Sequence, residues 1–193
     1  YVALNTLGYP FNLEWMEGHS IDIIQRILDG KSIYVKPTLE YIPYIYTPYY
    51  FYVSAFFSLF TGVDFFPARL VSFLATLGSS AILFCWLRKE NASISIAIIT
   101  AGIFFATYPL SGRWFDISRI DSLYLFLMVA GLYVFCYYRE RRGMVISAVL
   151  FAAAFFTKQS AIMALFPPLA ASLLIGDRPY TIRTILLSSG LVI

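Results

Sequence analysis

Glu14 and Glu17, in Leu13-Glu14-Trp15-Met16-Glu17-Gly18, are the first side chains able to do acid–base work. They stand at the start of residues spaced like an amphipathic helix. A carboxylate there either caps the helix and meets its dipole or serves as a general base that deprotonates an acceptor hydroxyl. Desolvation in a partly dry pocket would raise such a base toward neutral pH. A second cluster, Arg113, Asp116, Arg119 and Asp121, lies in Arg-Trp-Phe-Asp-Ile-Ser-Arg-Ile-Asp between two apolar runs. It reads either as local ion pairs or as a polar pocket floor. In the second case Asp116 and Asp121 orient a hydroxyl or a metal, and the arginines bind phosphate bidentately. Lys158 stands within the apolar stretch 144–175, as a further phosphate ligand or as a snorkelling anchor. The tyrosines between Tyr34 and Tyr52, with Tyr46, Tyr49 and Tyr50 among them, are interspersed with Pro37, Pro43 and Pro48. They read as an interfacial belt or as a platform of flat rings for a pyranose or headgroup. His19 reads as structural, and Cys85 and Cys136 as packed thiols. The sequence holds no GxxxxGK[ST], GxSxG or HExxH pattern and no paired-cysteine spacing.

The elements that must position these residues belong to a membrane protein. Apolar residues make up 60% and charged residues 13%, with a mean hydropathy of +0.73, where soluble domains carry about 25% charge. A net charge of +3 is too small to imply a nucleic-acid partner. Residues 67–87, 92–108 and 120–138 are predicted spans, the first carrying only Arg69, at its start. As one helix, 144–175 would be about 48 Å long against a bilayer core of about 30 Å. It is therefore predicted to be a hairpin with residues 157–159 at its tip. Pro48–Phe60 is apolar but short, and is placed as a juxtamembrane or re-entrant helix. Over 18–29, Ile21, Ile24, Ile27 and Leu28 share one face, Asp22 and Arg26 are spaced as an i,i+4 pair, and Gly30 ends the helix.

Arg88, Lys89, Arg139, Arg141, Arg142, Arg178 and Arg183 fall on one side, read as cytoplasmic. Residues 1–66, the loop 111–119 and Lys158 then share the other side. The expected organisation is an extracytoplasmic loop with juxtamembrane helices over 1–66 and about five transmembrane helices over 67–193, the last truncated. The start at Tyr1 and the end at Ile193, inside an apolar run, read as those of a fragment of a longer chain.

Several short motifs follow one another behind the early carboxylates. They are Asp29-Gly30-Lys31-Ser32-Ile33-Tyr34, Tyr46-Thr47-Pro48-Tyr49-Tyr50-Phe51-Tyr52, Pro67-Ala68-Arg69-Leu70-Val71-Ser72, Arg119-Ile120-Asp121-Ser122-Leu123 and Phe156-Thr157-Lys158-Gln159-Ser160. In this order they resemble the GT-C glycosyltransferases. The branch is that of protein O-mannosyltransferases, aminoarabinose transferases and dolichyl-phosphate-mannose-protein mannosyltransferase-like proteins.

The resemblance implies an all-α integral membrane protein, a polytopic helical bundle of GT-C type with juxtamembrane amphipathic helices in its first outer loop. It implies inverting transfer of a sugar from a polyprenyl-phosphate donor to a lipid, glycan or protein acceptor among membrane lipids. The active site would face outward from a bacterial or archaeal plasma (inner) membrane. In that family an early acidic motif, often Asp-Glu, supplies the catalytic carboxylate. Met16-Glu17 occupies its place, so Glu17 inherits the role with Glu14 in reserve. A lysine of the aminoarabinose transferases is replaced by Thr47, which leaves donor phosphate to Arg113, Arg119 and Lys158. Asp116, Asp121, Tyr46, Tyr49 and Tyr50 would line the acceptor or metal-orienting side; a divalent cation is left open. Two other classes compete. A transporter or flippase would need broken helices around a midplane polar site, for which the Lys158 hairpin is the only hint. A non-catalytic assembly subunit would transfer nothing.

Overall fold

The computed structural model describes residues 2–192. Among them it has nine helices and no strand: α1 (Val2–Leu7), α2 (Trp15–Leu28), α3 (Tyr49–Thr61), α4 (Phe65–Lys89), α5 (Ile94–Ala106), α6 (Ile120–Tyr137), α7 (Arg141–Thr157), α8 (Ala161–Ile175) and α9 (Arg178–Gly190). Tyr1 and Ile193, on which the fragment reading rests, lie outside the described residues.

Local chemistry sets the ends of α2. Glu14 is extended and its carboxylate accepts from the Met16 N–H at 3.0 Å, an N-cap that satisfies one orphan donor. At the other end Gly30 takes φ +68°, and the Lys31 N–H donates to the Arg26 carbonyl at 2.8 Å, a glycine-terminated stop. Of the predicted apolar face only Ile24 is buried, with Ile21, Ile27 and Leu28 half-buried, and Ile23, outside that face, is buried as well. The expected Asp22–Arg26 pair does not form. Arg26 donates to the Ser32 carbonyl, at 2.8 Å for its nearer nitrogen, and lies 4.1 Å from the Tyr41 ring centre, while Asp22 lies 3.9 Å from His19. The loop after α2 folds back and supplies Arg26 with closer partners than its own helix does.

Two helices, α4 and α6, are long and apolar enough to cross a membrane. They approach closely: a Cβ on Gly78 of α4 would lie 2.6 Å from the Phe126 ring of α6, and Ala75, Thr76 and Ser79 of α4 are buried. Small side chains let helix backbones approach closely where lipid removes the hydrophobic drive. Against α7, a Cβ on Gly131 of α6 would lie 2.6 Å from the Phe151 ring, so this crossing requires glycine. The apolar helix α5 is shorter than the predicted span 92–108. Its 13 residues reach about 20 Å, and the chain then turns through 107–119. Ile94, Ile96, Ile98, Ile99 and Ile103 are exposed, and Ala97 alone is buried, an outward apolar surface suited to lipid. The stretch 144–175 is broken where the hairpin was expected, with α7 ending at Thr157 and α8 starting at Ala161. Of the roughly five expected spans, two reach crossing length and apolarity among the described residues, and α5 and α8 are shorter apolar helices.

The antiparallel path gathers polar residues at two ends. At one end are the first turn of α4, the 114–121 segment and the α7–α8 turn, with α1 and α2 packed against α4. At the other end the Tyr137 hydroxyl donates to Glu90 and the Tyr180 hydroxyl donates to the Tyr138 carbonyl at 3.1 Å.

Candidate active site

Glu17 and Arg69 form the deepest part of the first end, both side chains at 0% exposure. Arg69 Nε donates to Glu17 Oε1 at 2.9 Å and Nη2 to Oε2 at 2.8 Å, a bidentate pair. The remaining guanidinium donors reach the carbonyls of Thr6 (2.9 Å), Tyr9 (2.5 Å) and Phe11 (2.8 Å). Glu17 also accepts from the N–H groups of Leu13 at 2.7 Å and Ser118 at 2.8 Å. Burial alone would raise its carboxyl. The Arg69 hydrogen bonds, together with those from Ser118 and Leu13, outweigh burial and hold it below the usual 4.5. Every lone-pair direction of Glu17 is thereby committed to the protein.

Above this pair runs a chain of four largely buried charges. Arg119 Nη1 lies 3.2 Å from Glu14 Oε1, and its Nε lies 3.1 Å from Asp121 Oδ2. Lys158 Nζ meets Asp121 Oδ1 at 2.7 Å. Three distant pieces of sequence thus converge: the N-cap of α2, the N-terminal edge of α6 and the α7–α8 turn. The Arg119 guanidinium also lies 3.9 Å from the Trp114 ring centre. Trp114 is placed by two left-handed residues, Gly112 (φ +68°) and Arg113 (φ +62°).

Met16, Ser20, Tyr44, Tyr46, Arg119 and Asp121 line a narrow gap of about 10 Å³ beside these charges. The Tyr44 hydroxyl donates to the Met16 carbonyl at 3.1 Å. Burial, followed by the nearby Glu14 charge, pushes Tyr44 up to about 12, so it stays neutral. His19 lies 4.0 Å from the Tyr44 ring, centre to centre, and stacks on Tyr41 at 5.5 Å. Desolvation lowers its pKa, against Asp22.

The structure brings together Glu14, Arg119, Asp121, Lys158 and Tyr46 from the sequence-predicted set. Other members lie elsewhere. Arg113 is exposed and makes no ion pair among the described residues. Tyr50 is fully buried, its hydroxyl donating to the Ala68 carbonyl at 2.8 Å, so it packs α3 on α4 instead of lining a pocket. Tyr49 is 38% exposed and does not line the cleft. Asp116 belongs to a separate buried network, and no group of three or more His, Cys, Asp or Glu is gathered as for a metal among the described residues. Trp114, His19 and Arg69 were not among the sequence candidates, and Tyr44 was one of the tyrosines read together over 34–52. The signal for Arg69 was its charge at the start of an apolar span, where a buried cation needs a partner.

Asp116 is 1% exposed. Its Oδ1 accepts from the Tyr108 hydroxyl at 3.0 Å, and its Oδ2 has no hydrogen-bond partner. Burial pushes its carboxyl above the ordinary 3.8, opposed by the Tyr108 hydrogen bond. A raised folded value means that this group's contribution to stability is full below 3.8 and is lost as pH rises through the raised value. Asp116→Asn keeps the shape without ionising. The variant should melt progressively higher than the parent as pH rises through that window, after which the difference levels off. Thermal unfolding from about pH 4 to pH 8 checks this; a constant difference throughout would contradict it.

The chain belongs to the dolichyl-phosphate-mannose-protein mannosyltransferase family, whose model matches residues 45–193. That makes it a GT-C-type, mannosyltransferase-like membrane protein with a glycosyltransferase-like activity. No curated protein and no solved structure matches it significantly.

Proposed function

We propose that the chain transfers a sugar, with inversion, from a polyprenyl-phosphate donor to an acceptor hydroxyl at the outer face of a multi-pass membrane protein, and that Glu14 is its base. The Glu14–Arg119–Asp121–Lys158 chain supports this reading, because it links a carboxylate and two cations through one run of ion pairs. Glu17 exchanges roles with Glu14. A base needs a free lone pair near the acceptor, and Glu17 has spent its lone pairs on four N–H groups from Arg69, Leu13 and Ser118.

The chemistry follows from the pairings. The acceptor O–H gives its proton to Glu14, its oxygen bonds to the anomeric carbon, and the bond from that carbon to the phosphate oxygen breaks. Polyprenyl monophosphate leaves with one more negative charge than it had in the diester. Protonation neutralises Glu14 and releases Arg119 from its carboxylate partner while that charge develops. Arg119 can then face the phosphate, with Lys158 beside it, at groups already held in place. Asp121 keeps the two cations together. Tyr46 and Tyr44 line the gap beside Arg119 and Asp121, which a pyranose must widen to enter. Under this reading residues 2–66 and Lys158 lie outside, and the Arg88–Lys89 end lies inside. Lys158 caps α7 at the break before α8 and is paired with Asp121, as a carrier-phosphate ligand beside Arg119 would be.

Phosphate recognition is testable without turnover. Polyprenyl monophosphate should raise the melting temperature of the purified protein, by about 2.7 kcal/mol of linkage at 100 times its Kd. The matching polyprenol should have little effect. Equal shifts from both lipids would overturn phosphate recognition and leave only lipid binding.

A further inference from the structure

We infer that Arg69 and Glu17 are positioning residues: one buried strut that sets the base segment and the phosphate-binding segment in register. This rests on the reading of Glu14 as base and Arg119 as phosphate ligand. The strut touches both sides of the cleft. Toward the base, Arg69 holds the carbonyls of Thr6, Tyr9 and Phe11, and Glu17 holds the Leu13 N–H, the residue before Glu14. Toward the phosphate ligand, the same carboxylate accepts from the Ser118 N–H, the residue before Arg119.

The rest of that second segment is held through its carbonyls. Ser122 donates to the Trp114 carbonyl at 3.0 Å, Thr76 to Phe115 at 2.7 Å, Ser20 to Ser118 at 3.1 Å and Ser72 to Arg119 at 3.1 Å. Glu17 supplies the acceptor for the Ser118 N–H. The two halves of the cleft are 101 residues apart at this bond, and the pairing of Glu17 with Arg69 fixes how far Glu14 stands from Arg119. A point-charge cation cannot replace this arginine. Lysine can neutralise one carboxylate, but it cannot meet both oxygens and three carbonyls in one plane.

The test uses the intact protein in detergent, with Arg69→Lys and the double variant Glu17→Met/Arg69→Met. The double variant removes both charges, so no uncompensated ion remains buried, and thermal unfolding gives the folded fraction of each variant. Amide exchange at Ser118 should quicken at least about tenfold in both variants, and kcat of the folded fraction should fall about 100-fold, as a misplacement of about 1 Å does. Ser118 exchange unchanged from wild type, in either variant, overturns the strut whatever the activity. Quicker exchange with wild-type kcat also overturns it, since the cleft would then work without the register. If wild-type protein transfers no sugar from any polyprenyl-phosphate donor, the proposed reaction fails, while Ser118 exchange still decides whether the strut sets the segment.

Discussion

Glu14→Gln is expected to lower kcat by about 10²–10⁴-fold, the usual contribution of a general base, with melting temperature close to the parent. The carboxamide oxygen of this variant can still accept from the Met16 N–H, so the helix cap survives. Glu17→Gln should behave differently. It leaves the Arg69 guanidinium, 0% exposed, without its counter-charge. Breaking a buried pair from one side costs about 3–5 kcal/mol, so this variant should lose stability first and turnover through it. Steady-state kinetics normalised to folded protein, with thermal unfolding of both variants, separate the two glutamates. A Glu14→Gln enzyme with parental kcat would remove Glu14 from the mechanism.

Removing the two cleft cations should act mainly on the donor. Arg119→Ala and Lys158→Ala are each expected to raise donor KM about 10–100-fold, the equivalent of about 1.5–3 kcal/mol for a hydrogen bond to a charged group. Both contact Asp121, one on each oxygen, so the double variant should depart from additivity. Arg119→Ala should also lower kcat, because Arg119, and not Lys158, pairs with Glu14. Arg113→Ala, exposed and outside the cluster, should leave donor KM within about twofold of the parent, in the range of an ordinary surface change. Donor titrations of the four proteins check the order. Equal KM values for Arg113→Ala and Arg119→Ala would contradict the placement of the phosphate.

The elements were legible where local chemistry sets them. Apolar length gave α4 and α6, the charge of Lys158 broke 144–175 into a hairpin, and Gly30 stopped α2. Hairpin logic then placed Lys158 at the same end as the 113–121 cluster, where it meets Asp121. The Glu17–Arg69 pair was not legible, because it spans 52 residues and no periodicity links an N-terminal helix turn to the start of a later span. The assignment of Glu17 as base followed a family position that says nothing about burial. Asp22 and Arg26 had helical spacing for a pair, but the fold-back of residues 31–34 gave Arg26 the Ser32 carbonyl instead. Tyr50 looked like part of an aromatic platform, yet one tyrosine in that stretch had to fill the α3–α4 contact, and its hydroxyl found a backbone carbonyl there.

The central claim is transfer from a lipid-linked donor at the Glu14–Arg119–Asp121–Lys158 cluster. It is tested most directly by supplying the purified protein, in sealed vesicles of known orientation, with a radiolabelled polyprenyl-phosphate sugar and an acceptor on one side. The account predicts acceptor-dependent release of polyprenyl monophosphate and a glycoside of inverted anomeric configuration. It predicts these only when both substrates reach the face bearing residues 2–66, and their loss in Glu14→Gln. Donor recovered intact on the opposite side, or release that is undiminished in Glu14→Gln, would contradict it.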